Sequence, residues 1–383
     1  MDINEYLRSK KMIADPKDIP KYSEEFRDEL TAALKGQPSQ LQPLPSRLGV
    51  PKLPRNTEKL LAVDFGGTNI RLAEICFDKD GLPHMENYCQ EKIESGRLDK
   101  DYFFGWLGER IARYDIEDVG FVFSYQAEIL PNGDAKIVSL SKGLSVPDAI
   151  GLELGKEINK KLADKGQKPR RFTVLNDTTA VFLSAAASLE KPESLAAAVI
   201  AGTGSNCCNV WQEEIINIEW ELFSNFTRGE FDVILDDASD NAGEHQTGKM
   251  VGGKYLAMLV DMCCQGAEAE GVHGDPEAIR QAAYDAIYTR AAIFIVAMLR
   301  GVVLMAPALE KCREEGGPLY VCIEGGTYDH APGYKESIGS LIHEYIELPL
   351  GIQVRIVQLD NAVITGAALA ALGNSRIKQQ GAK

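Results

Sequence analysis

The spacing of apolar residues along the chain predicts helices alternating with short buried strands. Near the start, apolar positions recur at intervals of three and four, at Ile19, Tyr22, Phe26, Leu30 and Ala33. This periodicity is typical of an amphipathic helix, which must bury its apolar face against a larger body. The helix is predicted to end at Gly36, and the repeated prolines of residues 36–55 indicate an extended connector.

Beyond the connector the pattern changes to short, wholly apolar runs, which are typical of buried strands. Two such runs lie on either side of the Gly66-Gly67 turn and predict a β-hairpin. Further strands are predicted at residues 119–125, 171–175, 196–200, 319–323 and 354–357. Helices are predicted at residues 103–113, 178–189 and 362–372, and a largely buried helix is predicted to begin at Asp275-Pro276.

Two distant segments of the chain share one plan. Residues 61–69 have the sequence Leu-Ala-Val-Asp-Phe-Gly-Gly-Thr-Asn, and residues 198–206 have Ala-Val-Ile-Ala-Gly-Thr-Gly-Ser-Asn. Each is an apolar strand, a Gly/Thr turn and an Asn, and the two are too far apart for a solenoid repeat. A chain of 383 residues is long enough for two lobes. We therefore expect a duplicated α/β core with a cleft between the lobes.

The first hairpin carries residue types that suit a phosphate. Gly66 and Gly67 let backbone N–H groups approach a ligand without a Cβ in the way, and such a concave backbone is an anion cradle. Asp64 is placed to hold Mg²⁺ through water, and Arg71 is placed to meet phosphate oxygens. The alternative is an ordinary hairpin turn, but the flanking Asp, Thr and Asn and the second copy in the chain favour a phosphate site.

The second hairpin has the sequence Gly-Thr-Gly-Ser-Asn over residues 202–206. It lacks the third glycine and the following helix of a dinucleotide fingerprint, so a Rossmann interpretation fails. The chain also lacks the Gly-x-x-x-x-Gly-Lys-Ser/Thr sequence of a P-loop. If the chain binds ATP, two facing hairpins are therefore expected to hold it.

Asn176-Asp177 follows an apolar strand and opens an Ala-rich helix. One interpretation is a helix N-cap, a position that Asp and Asn fill commonly. The other is a carboxylate at the mouth of the cleft, which accepts the proton of a substrate hydroxyl while Asn176 hydrogen-bonds a neighbouring one. Both can hold together, since a capping residue can still face a ligand.

Composition narrows the class of protein. The formal net charge is −15, and no Lys/Arg cluster is strong enough to indicate a nucleic-acid or anionic-membrane partner. The eight cysteines have no metal-ligand spacing, so reduced and mostly buried thiols are expected. Neither a signal peptide nor an uncharged stretch of membrane-spanning length is predicted. The expected location is the cytoplasm, without nucleic-acid or membrane partners.

A series of short motifs follows in one order along the chain. In sequence they are Asp-x-Gly-Gly-Thr-Asn-x-Arg, Phe-Ser-Tyr, Ser-Lys-Gly, Asn-Asp-Thr, Gly-Thr-Gly-Ser-Asn, Asn-x-Glu-Trp, Asp-x-x-Ser-x-Asn-x-Gly, Gly-Gly-Lys-Tyr, Glu-Gly-Gly-Thr-Tyr and Gly-Ala-Ala. From about Leu60 to Leu372 this order resembles the hexokinase family. The resemblance implies the two-lobed actin-like ATPase (ribonuclease H-like) fold, an α/β fold with a duplicated mixed β-sheet core and flanking helices.

The resemblance also implies roles for individual residues. Asp177 matches the catalytic base. The residues that match the sugar site are Ser124, Ser141, Lys142, Asn176, Asp177, Asn217 and Glu219. The residues that match the ATP site are Asp64, Gly66, Gly67, Thr68, Asn69 and Arg71 in the first motif, Gly202, Thr203, Gly204 and Asn206 in the second, and Gly325, Gly326 and Thr327 in the adenosine motif.

Three departures from the family pattern are present, and the mildest is Ser141, where the family usually has Thr. Gly248 stands where the family usually carries a sugar-binding Glu, and Glu244 or His245, one turn away, is a candidate replacement. In addition, residues 361–364 have the sequence Asn-Ala-Val-Ile where the family has Asp-Gly-Ser-Gly. This change at residues 361–364 concerns the nucleotide contacts of the closing helix.

The expected function is Mg-ATP-dependent phosphorylation of a hexose, with glucose as the first candidate and hexose 6-phosphate as the product. Closure of the lobes on the sugar is expected to exclude water, which would otherwise hydrolyse ATP. The alternatives are a kinase for another hexose or an amino sugar, and a catalytically weak hexose sensor. The chain holds one catalytic unit, expected as a monomer or homodimer.

The chain is predicted to divide into three parts. A helix and connector at 1–55 pack on the large lobe, the small lobe comprises 56–176 with 362–383, and the large lobe comprises 177–361.

Overall fold

Fifteen strands are present in the part of the chain that the structure, a computed structural model, describes, namely residues 1–51, 57–140 and 143–381. The strands are β1 Leu44–Pro45, β2 Leu60–Phe65, β3 Asn69–Phe77, β4 Pro83–Lys92, β5 Gly96–Arg97, β6 Asp118–Phe123, β7 Ala127–Ile129, β8 Ala135–Ile137, β9 Leu144–Ser145, β10 Arg171–Leu175, β11 Leu195–Ala201, β12 Ser205–Trp211, β13 Glu214–Asn217, β14 Leu319–Glu324 and β15 Val354–Val357.

The α-helices in the same residues are interspersed with these strands. They are α1 Ile3–Ser9, α2 Ile19–Leu34, α3 Lys100–Ile111, α4 Leu154–Ala163, α5 Asp177–Ser188, α6 Glu230–Asp237, α7 Gln246–Val251, α8 Gly253–Ala269, α9 Pro276–Met305, α10 Pro307–Glu315, α11 Gly326–His330, α12 Tyr334–Ile342, α13 Leu348–Leu350 and α14 Ala362–Gly381.

The chain divides into two units, each assembled from several segments. Unit 1 consists of Met1–Pro43, Glu193–Asn209 and Ile218–Gln358. Unit 2 consists of Leu44–Pro192, Val210–Asn217 and Leu359–Lys383. Each unit contains one of the two glycine-containing hairpins that the sequence predicts, β11–β12 in unit 1 and β2–β3 in unit 2.

Unit 2 is built on a five-stranded mixed sheet in the order β10-β6-β2-β3-β4. Strands β10, β6 and β2 are parallel, and β2 continues through the hairpin into antiparallel β3 and β4. Aromatic side chains fill one face of this sheet, where Phe65 packs against Phe103, Phe123 and Tyr125. The strands carry hydrophobic residues on both faces, as expected for strands that are covered on both sides.

Helix α14 covers the sheet of unit 2 at close range, because glycines remove side chains from the contact. A Cβ on Gly120 of β6 would lie 1.7 Å from the backbone oxygen of Ala367, and a Cβ on Gly366 would lie 1.9 Å from that of Ala180 in α5. The hydroxyl of Ser184 also donates to the backbone oxygen of Ala362 at 2.6 Å. These contacts place α14 between the sheet and α5.

Unit 1 contains strands in the order β12-β11-β14-β15, with β12 antiparallel to β11 and the other pairs parallel. Its core is dominated by α9, whose residues from Arg290 to Leu299 are all buried. Helix α9 is long and apolar enough to cross a membrane by length and composition, but 78% of its most apolar window is buried inside the protein. Such burial is typical of a core helix. Helix α2 packs along it, and Phe226 stacks on Phe294.

Arg290 is a charged residue of α9 that is paired within this core. Arg290 makes two hydrogen bonds to Asp232, of 2.7 and 2.8 Å, and both side chains are almost fully buried. One oxygen of the same carboxylate accepts the N–H of Gly229 at 2.7 Å. This bidentate arginine–carboxylate pair fixes the orientation of α6 relative to α9. Loss of either partner would leave an unpaired buried charge.

The predicted strands and helices are confirmed, including the amphipathic helix α2 and the closing helix α14. Most of the eight free cysteines are buried, as expected. The predicted division into lobes, with 177–361 as the large lobe, stays a prediction. Helix α5 belongs to unit 2, where it packs against α14. Residues 1–43 belong to unit 1.

Gly366→Ala is expected to lower the free energy of unfolding by about 1–3 kcal/mol, because the new methyl group would overlap the backbone of α5. Gly105→Ala, in α3 of the same unit, is the matched control, since its Cβ would meet nothing within 4 Å. Ala is the better helix former, so the control should gain roughly 0.5–1 kcal/mol. Urea unfolding followed by circular dichroism measures both. Equal effects of the two substitutions would contradict the close packing of α14.

Candidate functional site

The β2–β3 hairpin of unit 2 ends in a tight turn. Phe65 pairs with Ile70, and the N–H of Gly66 donates to the backbone oxygen of Asn69 at 3.1 Å. The backbone oxygen of Thr68 accepts the N–H of Ile93 at 2.9 Å, which ties the turn to the chain after β4. Among the described residues, the N–H groups of Gly67 and Thr68 have no hydrogen-bond acceptor. They are available to an anion.

Asp64 and Arg71 face each other across this hairpin. They are opposite residues of β2 and β3, and Nη1 of Arg71 lies 3.4 Å from Oδ2 of Asp64. Asp64 is 7% exposed, whereas the Arg71 side chain is 43% exposed. The contact is long for a charge-assisted hydrogen bond. The two side chains therefore offer a carboxylate held at the strand end and a cation that reaches into solvent.

Asn176 and Asp177, at the N-terminus of α5, have different roles. Asn176 is the N-cap, since its Oδ1 accepts the N–H and the hydroxyl of Thr178 at 2.9 and 2.6 Å. Asp177 occupies the first helical position and is partly exposed. Within the described residues its carboxylate accepts one hydrogen bond, from the N–H of Thr178. The capping interpretation thus holds for Asn176, and it leaves the Asp177 carboxylate accessible.

Two further residues of unit 2 that are predicted to bind sugar, Asn217 and Ser124, lie at the ends of strands. The hydroxyl of Thr178 also lies 3.3 Å from Oδ1 of Asn217, at the end of β13. Ser124 follows β6, and its N–H donates to the backbone oxygen of Phe65 in the first hairpin. Thr178 was not singled out from the sequence, although it connects two predicted sugar-binding amides. Ser141 and Lys142, the other predicted sugar-binding residues, lie outside the described residues.

The β11–β12 hairpin of unit 1 ends in a similar turn that is one residue shorter. Ala201 pairs with Ser205, and the N–H of Gly202 donates to the backbone oxygen of Gly204 at 2.9 Å. In the described part of the chain, the N–H groups of Thr203 and Gly204 have no acceptor. Each of the two hairpins that the sequence predicts to be equivalent therefore presents two open backbone N–H donors.

Two helix starts lie against the second hairpin. The backbone oxygen of Gly202 accepts the N–H of Gly253, at the start of α8, and the hydroxyl of Thr327, at the start of α11. A Cβ on Gly253 would lie 1.9 Å from Oγ1 of Thr327, so only glycine allows this approach. Gly325 and Gly326 stand at the same junction, directly after β14. The structure therefore brings the predicted adenosine motif together with the second phosphate motif.

Glu219 adopts a backbone conformation that is unusual for its type. Its φ is 54°, in the left-handed region, which costs energy for a residue with a Cβ and is found most often at functional sites. Oε1 of Glu219 accepts a hydrogen bond from Nδ2 of Asn206 at 3.1 Å. The following residue, Trp220, is fully buried and donates from Nε1 to the hydroxyl of Ser205 at 3.1 Å. These contacts hold the strained residue beside the second hairpin.

A buried ion pair organises the loop before α7. Nζ of Lys249 lies 2.5 Å from Oδ1 of Asp236 and also donates to the backbone oxygens of Asn241 and Glu244. Burial alone would raise the pKa of the Asp236 carboxyl, but the hydrogen bonds from Lys249 and the N–H of Gly243 hold it below its usual value. The side chain of Glu244 is exposed.

Glu221 was not singled out from the sequence. Its Oε1 accepts the N–H of Ser205 at 2.6 Å, and a Cβ on Gly248 would lie 2.6 Å from its Cδ. The sequence gives no signal for this contact, because positions 221 and 248 come together only when the chain folds.

The unusual segment at residues 361–364 lies within unit 2. Asn361 adopts a left-handed conformation with φ 56° before α14, and its backbone oxygen accepts the N–H of Thr365. Ala362 and Ile364 are buried. Their side chains therefore contribute to packing.

Comparison with known proteins assigns the chain to a family. Residues 7–187 match a family model described as hexokinase, and residues 196–282 and 265–373 match a second model with the same description. Hexokinase-3 of Oryza sativa subsp. japonica is 23% identical over 417 residues, which cover 87% of this chain and 83% of the relative.

Solved structures show the same fold. A hexokinase from Schistosoma mansoni complexed with glucose superposes with a TM-score of 0.78 at 19% identity, over 96% of this chain and 98% of the other. A ROK family glucokinase from Streptomyces griseus in complex with glucose and AMPPNP has a TM-score of 0.53 at 15% identity, over 81% of this chain and 98% of the other. The predicted two-lobed, actin-like ATPase fold is confirmed.

The matches to the two hexokinase models fall on the segments that carry both glycine-containing hairpins, the start of α5 and the adenosine motif. The chain therefore belongs to the hexokinase family and is a hexose kinase, an ATP:hexose phosphotransferase.

Proposed function

We propose that this hexose kinase phosphorylates glucose at its 6-hydroxyl with Mg-ATP, and that Asp177 is the general base. The S. mansoni hexokinase of the same fold is complexed with glucose, and the S. griseus glucokinase with glucose and the ATP analogue AMPPNP. These ligands belong to those proteins. They support the same pair of ligands here because the chain belongs to the hexokinase family.

The observation that carries the proposal is the division of tasks at the start of α5. Asn176 caps the helix, so Asp177 is not required for capping. Its carboxylate is partly exposed and accepts only the adjacent N–H of Thr178 among the described residues. An accessible carboxylate can take a proton from a hydroxyl as that hydroxyl attacks a phosphorus atom, which is the task of a general base in phosphoryl transfer.

The amide of Asn176 is oriented for a sugar hydroxyl. Because Oδ1 accepts both hydrogen bonds from Thr178, Nδ2 is directed away and donates to no described residue. We propose that Nδ2 donates to a hydroxyl of glucose next to the one that reacts. Asn217, held through the same threonine hydroxyl, is the second amide of this group.

The open N–H groups of the two hairpins are proposed to bind the phosphates of ATP. Four such donors are present among the described residues, on Gly67, Thr68, Thr203 and Gly204. Backbone donors are already in place before the reaction, so they stabilise charge in the transition state without reorganisation. Arg71, with its side chain reaching into solvent, is the cation proposed for the same phosphates.

Asp64 has the chemistry to hold Mg²⁺ through a water molecule. Its carboxylate oxygens are ligands that Mg²⁺ prefers, and the long contact with Arg71 leaves hydrogen-bonding capacity for a bound water. No cluster of three or more His, Cys, Asp or Glu side chains suited to a metal occurs among the described residues. Mg²⁺ in kinases takes most of its ligands from phosphates and water, so one carboxylate suffices. When bound, the ion would neutralise charge on the phosphates.

Closure of the lobes on glucose, expected from the sequence, completes the proposal by excluding water.

Replacement of the base is expected to separate binding from chemistry. Asp177→Asn should lower kcat by at least about 100-fold, because the amide cannot accept the proton, while glucose still binds. Calorimetry with glucose and a coupled assay of ADP release measure the two quantities. Asp164→Asn, an exposed carboxylate at the end of α4, is the matched control and should keep full activity. Near-normal turnover of Asp177→Asn would refute the assignment.

Removal of the metal is expected to stop turnover. Excess EDTA should abolish ADP release, and added MgCl₂ should restore it. Asp64→Asn should raise the Mg²⁺ concentration for half-maximal turnover by about tenfold or more, as expected for a group that orients the ligands of a metal. The KM for glucose should be unaffected. A wild-type Mg²⁺ requirement in Asp64→Asn would contradict the role of this residue.

Substrate preference distinguishes the proposal from its two alternatives. We expect kcat/KM for glucose to exceed that for glucosamine and N-acetylglucosamine by at least about tenfold, because a site built from hydroxyl-binding groups discriminates against changed substituents. A coupled assay over a panel of sugars measures the ratios. Preference for an amino sugar would favour the first alternative, and glucose binding without a phosphorylated product would favour a hexose sensor.

A further inference from the structure

The carboxylate of Glu221 fills the space that a side chain at position 248 would occupy. A Cβ on Gly248 would lie 2.6 Å from Cδ of Glu221, 2.7 Å from Oε2 and 3.0 Å from Oε1. Real Cβ atoms are essentially never found within 3.0 Å of a non-bonded atom, so a side chain at position 248 would displace the Glu221 carboxylate from its present place. Position 248 is also where the family resemblance leads one to expect a sugar-binding glutamate. The acidic group is therefore absent from the backbone position but present in the same region of space.

A hydrogen bond from the backbone of β12 orients this carboxylate. Its Oε1 accepts the N–H of Ser205 at 2.6 Å. The preceding residue, Trp220, is buried and donates a hydrogen bond to the hydroxyl of the same serine. Nδ1 of His245 lies 3.8 Å from Oε2 and has no hydrogen-bond partner among the described residues. The Glu221 side chain is 24% exposed. It is held in one place yet reachable by a ligand.

Glu221 also lies next to a residue that is assigned to the sugar. Glu219 binds the side chain of Asn206, and Glu221 binds the backbone N–H of Ser205, so the two carboxylates contact successive residues at the start of β12. Oε1 of Glu221 is engaged with Ser205, and Oε2 is the oxygen nearer to position 248 and to His245.

We propose that Glu221 replaces the missing glutamate and accepts a hydrogen bond from a hexose hydroxyl through its carboxylate. It is then a specificity-determining residue of the sugar site, reached from the turn after Glu219 and not from α7. This inference rests on the proposed function, since it assigns one more contact to the same hexose.

Glu221→Gln tests the role of the charge. The amide oxygen can still accept the N–H of Ser205, so the fold of the turn is retained. We expect the KM for glucose to rise by at least about tenfold, the loss expected for one charge-assisted hydrogen bond, with the KM for ATP within about twofold of wild type. Glu268→Gln, an exposed glutamate of α8 in the same unit, is the matched control and should change neither constant.

A reciprocal exchange tests the position of the carboxylate. Gly248→Glu alone should impair glucose binding, since its side chain overlaps Glu221. Glu221→Gly alone should impair it by loss of the acceptor. The double variant, Glu221→Gly with Gly248→Glu, should bind glucose at least about tenfold more tightly than either single variant, because the carboxylate returns from the other residue. Calorimetry with glucose measures all three, and circular dichroism confirms that each is folded.

The outcomes separate this inference from the function on which it rests. An active wild-type kinase whose KM for glucose is unchanged by Glu221→Gln would overturn the inference alone. A change confined to the KM for ATP would also overturn it, since Glu221 would then act on the nucleotide side through Ser205. A folded double variant no better than Glu221→Gly would do the same. A wild-type protein that neither binds nor phosphorylates any hexose would overturn the proposed function, and the inference with it.

Discussion

The hydrogen bonds between Thr178 and Asn176 fix the part of the structure on which the chemistry depends. The N–H and hydroxyl of one threonine bind a single amide oxygen, which caps α5, aims the amide nitrogen outward and leaves Asp177 accessible. Helix α5 is itself held by α14, whose glycine at position 366 allows the two backbones to approach. Packing between α5 and α14 therefore determines where the proposed base is presented, as expected for a site built on rigid elements.

Much of the fold follows from local sequence. The periodicity of residues 19–33 predicts α2, and the apolar runs beside Gly66-Gly67 and Gly202-Thr203-Gly204 predict the two hairpins, because strand and turn preferences agree there. The assignment of α5 to unit 2 was not predictable in this way. It depends on contact with α14, nearly 180 residues later in the chain (Ala362 against Ser184), and no local pattern records such a contact.

The candidate site shows the same division between local and long-range information. The order of short motifs locates Asp177, Asn176, Glu219 and the hairpin glycines, since each is a local signature. Glu221 could not be found in this way, because its relation to Gly248 arises only when α7 folds against the turn that contains Trp220. A missing side chain in a motif is best interpreted together with the residue that occupies its volume, and here that residue carries the same functional group.

The central claim is that this chain transfers a phosphoryl group from ATP to the 6-hydroxyl of glucose. The most direct test is ³¹P NMR of the wild-type protein with Mg-ATP and glucose labelled with ¹³C at carbon 6. The account predicts equimolar ADP and a phosphomonoester signal coupled to the labelled carbon. Glucose binding with no phosphomonoester, or a phosphate attached to another carbon, would contradict it.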